Sequence, residues 1–497
     1  MKRPHIAIIG GGLSGLSAGC YALASGFETT ILEHSAALGG VCTAWSRGPY
    51  TLDGCLHWLT GGPFDRVYRE LGIYPQLSVH TLETFAQYVE PNAGVRISIT
   101  RDLDALGRDL HALAPEDGEE IQRLLRASRE FADMHAPLDA LELSGMGEAL
   151  HQFWDMRHQL TTIAHFRKPV RAWASEHLRS PQLRRLLSLL VPPDAPALFL
   201  LMILGYLARG YLSRPDGGSG RFRDALIASY ERAGGRVQTA ATVEEILVDA
   251  DRACGVRLAN GTLLRADVVI STASAPETVL RLLGGQYGAA ELRERLQKWK
   301  LFDPIVLASY AVSKSLSDLP TTLLIDGLRP FEVGGRDNQH LYVRTYNDDP
   351  SFAPEGHTVV QVMAATNYDW WALPGIDYAA AKRDVAGTLQ LQLEEQVPVV
   401  RGAIEAIDVA TPLTFWNRAR SWRGSYEGWM PSSEGFFGHI RKKLPNLQGF
   451  YMAGQWVEPG GGVPTAVLSG RQVTQLVCAD RGHAFAPPVP PEAPPEA

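Results

Sequence analysis

The chain has 497 residues, of which 45% are hydrophobic and 20% charged, a composition typical of a large globular protein with more than one domain. Its net charge is −7, which excludes the usual class of basic nucleic-acid-binding proteins. The five cysteines contain no Cys-x-x-Cys pair, so a zinc site or a disulfide framework is not expected and a cytoplasmic location is favoured.

The first predicted unit is a strand, a turn, a helix and a second strand. Short apolar runs predict the strands over 5–9 and 29–32. Helical spacing of small and apolar residues predicts the helix over 13–25. This βαβ pattern is typical of a Rossmann-like domain with a parallel sheet.

The turn of this unit carries a nucleotide-binding pattern. It reads Gly10-x-Gly12-x-x-Gly15, and Glu33 follows the second strand. The glycines permit a tight turn, a close approach of the backbone to a pyrophosphate, and close packing of helix on strand. A carboxylate in the place of Glu33 accepts hydrogen bonds from ribose hydroxyls. The unit therefore predicts a dinucleotide site.

A second glycine pair favours FAD over NAD. Gly39 and Gly40 follow Glu33 by six and seven residues, and an NAD-only domain has no need of glycines there. FAD is longer, so the chain would cross it a second time. His57 comes soon afterwards, and it is a candidate acid or base beside the flavin, since imidazole titrates near neutrality. A histidine that only anchors the loop is the alternative.

The middle of the chain is predicted to be helical from about 102 to 212. Prolines at 192, 193 and 196 divide its most apolar part, and the run 195–207 is too short for a membrane span. Basic and aromatic residues interleave over 153–185. This pattern fits either a peripheral membrane contact that admits a lipid-soluble substrate or a solvated helix face over a core.

The next two regions return to mixed patterns. Strands and one helix are predicted over 214–275, with a hairpin turn at Asn260-Gly261. Strands of an antiparallel sheet alternate with helices over 276–440. This region holds Tyr346 and Glu427, two candidate catalytic groups, and an aromatic cluster that could wall an apolar pocket. The cluster consists of Trp370, Trp371, Trp416, Trp422, Tyr426 and Trp429.

The C-terminal part contains a second glycine-rich loop. A strand over 450–453 runs into Gly454, and Gly460 to Gly462 precede a helix that Thr465 could cap. The positive end of that helix dipole suits the negative charge of a reduced flavin. The segment 484–497 is Pro-rich and acidic and is predicted to be disordered. The sequence contains no second Gly-x-Gly-x-x-Gly unit, so a resident NAD(P)H-binding domain is not expected.

Three stretches carry a family resemblance. The segments "GGGLSGLSAGCYALASGFETTILEHSAALGGVCTAW" and "YMAGQWVEPGGGVPTAVLSGR" resemble the two ends of the phytoene desaturase and retinol saturase-like FAD-dependent oxidoreductases, which lie within the amine-oxidase-like flavoprotein superfamily. The segment "RPDGGSGRFRDAL" is similar to a glycine-rich stretch in the middle of these proteins. The resemblance implies that FAD is the cofactor.

The resemblance also implies a set of cofactor-binding residues. Val41 stands where relatives often carry arginine, so Arg47 is expected to take over that role, and Gln455 stands where many relatives carry an acid. The implied set is Gly10, Gly12, Leu13, Ser14, Gly15, Glu33, His34, Gly39, Gly40, Val41, Arg47, His57, Val243, Gly454, Gln455, Gly462, Val463 and Thr465.

We therefore expect an α/β fold with a Rossmann-like, glutathione-reductase-like FAD-binding domain and a second α+β substrate domain with an antiparallel sheet and a helical insertion. The expected division is 1–90, 214–275 and 441–482 for the FAD-binding parts, 91–213 for the helical region, 276–440 for the substrate domain and 483–497 for the tail.

The expected function is hydride removal from a hydrophobic small molecule such as a polyene, an isoprenoid or a natural-product intermediate, with oxygen or a quinone among the acceptors. A flavin amine oxidase, a saturase or isomerase using reduced flavin, and a non-redox lipid-binding protein remain open alternatives.

Overall fold

The computed structural model describes residues 3–55, 57–132, 137–144, 159–431 and 440–489. A parallel sheet forms the centre of the nucleotide-binding domain. Its buried strands are apolar on both faces, as expected where helices cover a parallel sheet from both sides. In spatial order the strands of the sheet are the exposed edge strand Arg236–Gln238, then Glu28–Leu32, His5–Ile9, Val268–Ser271 and Phe450–Met452. The sheet thus draws its strands from three separated parts of the chain.

Three helices pack closely in this domain. They are Leu13–Ala24, Gly218–Arg232 and Gly462–Arg481, here called the first, middle and last helix. A Cβ on Gly19 of the first helix would lie 2.4 Å from the ring of Tyr230 in the middle helix. A Cβ on Gly470 of the last helix would lie 2.6 Å from the backbone nitrogen of Ala18. Glycines therefore allow the helices to approach each other.

The second sheet forms the substrate domain. Neighbouring strands are antiparallel except for one parallel pair, Thr322–Ile325 with Thr84–Glu90. In spatial order the strands are Ile404–Ala410, Ile305–Val312, Thr358–Ala365, Leu341–Thr345, Thr322–Ile325, Thr84–Glu90 and Val95–Thr100. Two strands of this sheet precede the helical region, so the expected boundary at residue 90 is wrong: the first crossing into the substrate domain occurs before residue 84.

A helical layer packs against one face of the second sheet. Its described helices are Leu103–Leu113, Gly118–Phe131, Leu160–Phe166, Val170–His177, Pro181–Leu190 and Leu198–Ala208. The division of the apolar run by prolines is confirmed. The helix Leu198–Ala208 is buried in the core of this layer, while Phe199 and Met202 are half-buried at its edge. The helix is therefore buried except along this edge, which faces a cavity.

Smaller elements connect these layers. A hairpin pairs Ala44–Arg47 with Tyr50–Asp53, and the turn at Asn260-Gly261 joins Arg252–Leu258 to Leu263–Arg265, as predicted. The remaining strands are Leu59–Thr60, Val79–Thr81, Leu212–Pro215, Val243–Asp249, Phe331–Glu332 and Asp337–Asn338. The remaining α-helices are Asp65–Glu70, Ala289–Lys298, Tyr368–Trp371, Tyr378–Gln396 and Pro412–Ala419, and Glu277–Leu282 forms a π-helical turn.

Part of the basic stretch of the helical layer is paired with neighbouring acids. Lys168 lies 2.6 Å from Glu176, and Arg171 forms an ion pair with Asp194. Residues 153–158 of the predicted membrane-contact segment lie outside the described residues. No helix within the described ranges is long and apolar enough to cross a membrane.

Part of the predicted disordered tail is packed on the domain. The ring of Phe485 stacks on Tyr21 at 5.5 Å between centroids, and the backbone N–H of Val489 donates to the carbonyl of Glu70 at 3.0 Å. The expectation is therefore wrong for residues 484–489, because the ring of Phe485 anchors a segment whose Pro-rich composition predicted disorder. Residues 490–497 lie outside the described residues.

Candidate active site

A cavity of about 920 Å³ opens at the carboxyl ends of the parallel strands. Ile9, Leu32, Thr272 and Gly454 each lie at or just beyond the end of a strand, and all four line it. Ligands of open α/β sheets bind at this edge, because strands end there and helix N-termini point toward it. The cavity then continues between the substrate sheet and the helical layer.

The two predicted glycine motifs form one backbone cradle. Gly39 N–H donates to the carbonyl of Gly11 at 2.8 Å, and Gly12 is bridged to Gly39. A Cβ built on Gly12 would find only the Cα of Gly40, at 4.0 Å, so open space lies in front of the first helix. This is the space that a pyrophosphate requires at a helix N-terminus.

Glu33 is held in place at the end of its strand. Its carboxylate accepts hydrogen bonds from the backbone N–H groups of Gly11 at 2.7 Å and Ser35 at 2.8 Å. The residue is buried and lines the cavity. Two oxygens that each accept one backbone bond retain lone pairs for further donors, so the carboxylate can receive ribose hydroxyls.

The C-terminal glycine loop lies on the other side of the cavity. Gly461 is the N-cap of the last helix, and a Cβ there would lie 2.4 Å from the Cβ of Glu427. The hydroxyl of Thr465 donates to the carbonyls of Gly461 and Gly462, inside the first turn. The prediction that Thr465 caps the helix is wrong, because the helix begins three residues earlier at Gly462.

Glu427 and His57 are the two candidate catalytic side chains that line the cavity. Burial raises the pKa of Glu427 to about 7. Burial, with the charges of Arg344 and Arg214, lowers the pKa of His57 to about 4. At neutral pH the carboxyl group is therefore poised to exchange a proton, whereas the imidazole is neutral.

The structure gathers most of the predicted site residues around this cavity. Those that line it are Gly10, Gly12, Leu13, Ser14, Glu33, His34, Gly39, Gly40, Val41, His57, Val243, Glu427, Gly454, Gln455, Gly462, Val463 and Thr465. Gly15 lies behind it, where a Cβ would meet the carbonyl oxygen of Gly10 at 2.1 Å.

Two predicted residues lie elsewhere. Arg47 is on the hairpin, half-exposed and paired with Asp408, so the structure does not place it at the cofactor cradle. Tyr346 is buried in a small core, where its hydroxyl donates to Gln361 at 2.6 Å. The placement of both beside the cavity was wrong, because residue type and spacing do not show which side of a strand faces which core.

The aromatic cluster is divided between cores and cavity. Trp371 and Trp429 are fully buried in two separate cores, and of the six clustered aromatics only Tyr426 lines the cavity. The apolar wall comes from other residues, many of them in the helical layer. They include Trp58, Phe85, Leu189, Phe199, Met202, Tyr206 and Tyr342.

Sequence reasoning missed two groups that shape the site. Arg281 lines the cavity and donates a hydrogen bond to the carbonyl of Val243 at 3.1 Å. Its positive charge therefore lies beside the first residue of the strand Val243–Asp249. Asp53 is buried at the base of the hairpin and accepts a 2.6 Å hydrogen bond from the backbone of Ser219. Neither residue belongs to a local motif, so no signal in the sequence distinguished it from other charged residues.

Several buried polar atoms in the cavity wall lack a partner among the described residues. They are Ser14 Oγ, His34 Nε2, His57 Nδ1 and Ser274 Oγ. A buried polar group is normally hydrogen-bonded, so four such atoms in one cavity fit a polar ligand that spans it. Together with the open cradle at Gly12, they fit a dinucleotide.

A nucleotide cradle at a parallel sheet, joined to an apolar cavity, defines a dinucleotide-dependent oxidoreductase. The family model described as flavin containing amine oxidoreductase matches residues 13–478. The chain belongs to this family, its cofactor is FAD, and it is an FAD-dependent oxidoreductase.

Individual relatives cover nearly the whole chain. The chain is 26% identical to a chloroplastic prolycopene isomerase of Arabidopsis thaliana, over 96% of this chain and 82% of that protein. It is 25% identical to a lycopene-forming phytoene desaturase of a Paracoccus species, over 96% and 98%. Cyclohexylamine oxidase from Brevibacterium oxydans has the same fold, with a TM-score of 0.62, 19% identity and 97% and 100% coverage.

Proposed function

We propose that this enzyme desaturates a long hydrophobic substrate of the polyene or isoprenoid class. The observation that carries the proposal is the apolar wall of the cavity beyond the glycine loop. Phe199 and Met202 project there from a buried helix, and Phe85 and Tyr342 face the same space from the substrate sheet. A long apolar chain gains about 25 cal/mol for each Å² that it buries against such a wall.

The cofactor would lie with its adenosine end toward Glu33 and Val243 and its ring toward the last helix. Gly12 and Gly40 would admit the pyrophosphate, and the N–H groups at Gly462 would face the ring. When bound, FAD supplies a two-electron acceptor. The relatives that act on carotenoids support a polyene substrate, since their similarity extends over the whole chain.

Glu427 would receive the proton that desaturation releases. Removal of hydride from one carbon leaves a proton to depart from its neighbour, and a general base works best when its pKa is near the ambient pH. Burial raises the pKa of Glu427 to about 7, and the side chain packs against Gly461 at the proposed ring end. The neutral ring of His57 would contribute a hydrogen bond rather than a positive charge.

The predicted aromatic cluster gives little support to an amine oxidase. An aromatic cage at the ring would favour amine oxidation, but most of the predicted aromatic cluster lies in the cores. Of that cluster, Tyr426 alone lines the cavity. A saturase passes electrons from reduced flavin to the substrate, and an isomerase uses reduced flavin without a net transfer of electrons; the same experiment decides both alternatives.

The test mixes holoprotein anaerobically with an acyclic polyene in detergent micelles, and separately with a panel of primary amines. We expect the polyene to bleach the visible absorbance of the oxidised flavin. The variant Met202→Glu should lose this reaction and keep its FAD, while Leu391→Glu, at a position 68% exposed, should react normally. Bleaching by amines alone would overturn the proposal. Conversion of the polyene only after reduction of the flavin would assign a saturase or isomerase.

A further inference from the structure

Two histidines and a glutamate come together in the helical layer, away from the cavity. They are Glu120, His165 and His177, and none of the three lines the cavity. One ligand atom of each lies within 4.8 Å of the others. Glu120 is 45 positions from His165, so no local motif announces the cluster. Each residue belongs to a different helix of the layer, in chain order Gly118–Phe131, Leu160–Phe166 and Val170–His177.

The ligand atoms are close enough to share one metal ion. Nε2 of His165 lies 2.5 Å from Oε1 of Glu120, and the rings of His165 and His177 are 4.4 Å apart between centroids. Bonds of about 2.0–2.2 Å place the ligand atoms of a tetrahedral ion roughly 3.4 Å apart. An ion would therefore replace the hydrogen bond between His165 and Glu120, and the two atoms would separate by roughly 1 Å.

Packing fixes the two imidazoles to different degrees. The ring of Trp173, which is fully buried, contacts both, at 6.4 Å from His165 and 6.1 Å from His177 between centroids. Phe166 packs against His165 at 4.7 Å. The side chain of His165 is 19% exposed and that of His177 is 33% exposed. His177 is thus the ligand that can turn toward an ion, and it lies where an ion would enter.

The charges around the cluster are balanced. Arg123 lies 3.1 Å from Oε2 of Glu120, the oxygen that does not contact His165, and a metal-bound carboxylate normally has such a partner. Glu176 lies 4.0 Å from Nε2 of His177 and is paired with Lys168. Two acids and two bases therefore surround the imidazoles, and their charges do not exclude a cation.

We propose that Glu120, His165 and His177 bind one divalent transition-metal ion of the zinc class. Imidazole and carboxylate ligands suit zinc, whereas magnesium and calcium prefer oxygen ligands alone. The absence of Cys-x-x-Cys pairs argued only against a zinc site built from cysteine. Because none of the three ligands lines the cavity, the ion would be structural and would join three helices. The inference does not depend on the proposed substrate.

The joined helices support the wall of the cavity. The helix that carries Glu120 ends at Phe131, which lines the cavity. The same helix packs closely on Leu198–Ala208, since a Cβ on Gly205 would lie 2.2 Å from the carbonyl oxygen of Ser128. A metal ion at Glu120 would therefore stabilise the layer that supplies much of the apolar wall.

The test is a calorimetric zinc titration of the holoprotein after its metal has been removed with EDTA. We expect one Zn²⁺ to bind per chain, and Mg²⁺ not to bind. His177→Gln and Glu120→Gln should each weaken zinc binding at least about 10-fold, because even a residue behind a metal ligand changes the affinity by about 10–100-fold. His80→Gln is the matched control and should bind zinc as wild type does. His80 is exposed and pairs with Asp216, but it belongs to no group of three ligands within the described ranges.

Thermal unfolding checks that the ion binds the folded chain. With free zinc at about 100 times its dissociation constant, the folding equilibrium constant of wild type and His80→Gln should rise roughly 100-fold. That of His177→Gln should stay near its zinc-free value, and because His177 is partly exposed this variant should fold without zinc as wild type does. Less than one zinc ion per chain overturns the proposal, as does equal zinc affinity in wild type, His177→Gln and Glu120→Gln.

Discussion

Replacement of Gly12 by alanine separates cofactor binding from folding. The backbone of Gly12 has φ −74° and ψ −179°, which any residue adopts. The added methyl group would contact only the Cα of Gly40, at 4.0 Å. The folded chain itself should therefore accept Gly12→Ala without strain.

The same methyl group would occupy the space of the pyrophosphate. A phosphate oxygen bound by a backbone N–H lies about 2.7–2.9 Å from the nitrogen. A methyl carbon requires about 3.5 Å or more to a neighbouring atom, so the phosphate would move away and lose a hydrogen bond. A hydrogen bond to a charged group contributes about 1.5–3 kcal/mol, which is roughly a 10- to 150-fold weaker FAD complex.

The assay is a titration of apoprotein with FAD, followed by quenching of flavin fluorescence, with thermal unfolding of the apoprotein alongside. Gly387→Ala is the matched control, since Gly387 lies inside the helix Tyr378–Gln396 and a Cβ there meets no atom within 4 Å. It should bind FAD normally and gain up to about 1 kcal/mol of stability. Unchanged FAD affinity in a folded Gly12→Ala variant would refute the assignment of the cradle.

Three further changes test the charged groups. Because burial raises the pKa of Glu427 to about 7, the folded apoprotein keeps a proton that the unfolded chain loses above its ordinary pKa of 4.5. The free energy of unfolding of the apoprotein should therefore fall as the pH rises from about 4.5 to about 7. Glu427→Gln should remove this fall. Parallel melting profiles of the two proteins over this pH range would contradict the prediction. Because the pKa of His57 is lowered to about 4, His57→Asn should leave any inflection of flavin reduction near pH 7 in place, and a lost inflection would show that His57 titrates there. Arg471→Met leaves the carboxylate of Glu70, whose side chain is 1% exposed, without its 2.9 Å partner. Arg66 at 2.8 Å and the hydroxyl of Tyr21 at 2.7 Å still bind this carboxylate, so the loss in urea unfolding should be about 1–3 kcal/mol. A loss below about 0.5 kcal/mol would contradict this, and Glu70→Gln in the same variant should restore part of the stability.

The nucleotide-binding elements were predictable because their signals are local. The strand at His5–Ile9 and the first helix depend on a hydrophobic pattern and on glycines that the turn requires. The approach of Gly39 to Gly11 could be expected from the family resemblance, since both glycine pairs belong to one cofactor pattern. These residues were found because their chemistry is visible within a few positions of the chain.

The substrate side depended on contacts between distant segments. Tyr346 and Trp429 have residue types that suit a pocket, but both are buried in cores. Phe199 and Met202 have types that suit a core, but the packing of their helix turns them toward the cavity. Strand Thr84–Glu90 precedes the helical region and still joins the second sheet. No local pattern encodes which face of an apolar element meets a neighbour and which meets a ligand.

The division of the parallel sheet among distant segments has a consequence for how the protein is made. The hydroxyl of Ser17 in the first helix donates to the carbonyl of Val467 in the last helix, and the two residues are 450 positions apart. A ribosome that adds about 5–20 residues per second needs roughly 20–90 s to cover that distance. During this time the nascent chain has its N-terminal glycine turn but lacks the strand Phe450–Met452 and the loop at Gly461. Cofactor capture must therefore wait until synthesis has passed this C-terminal segment.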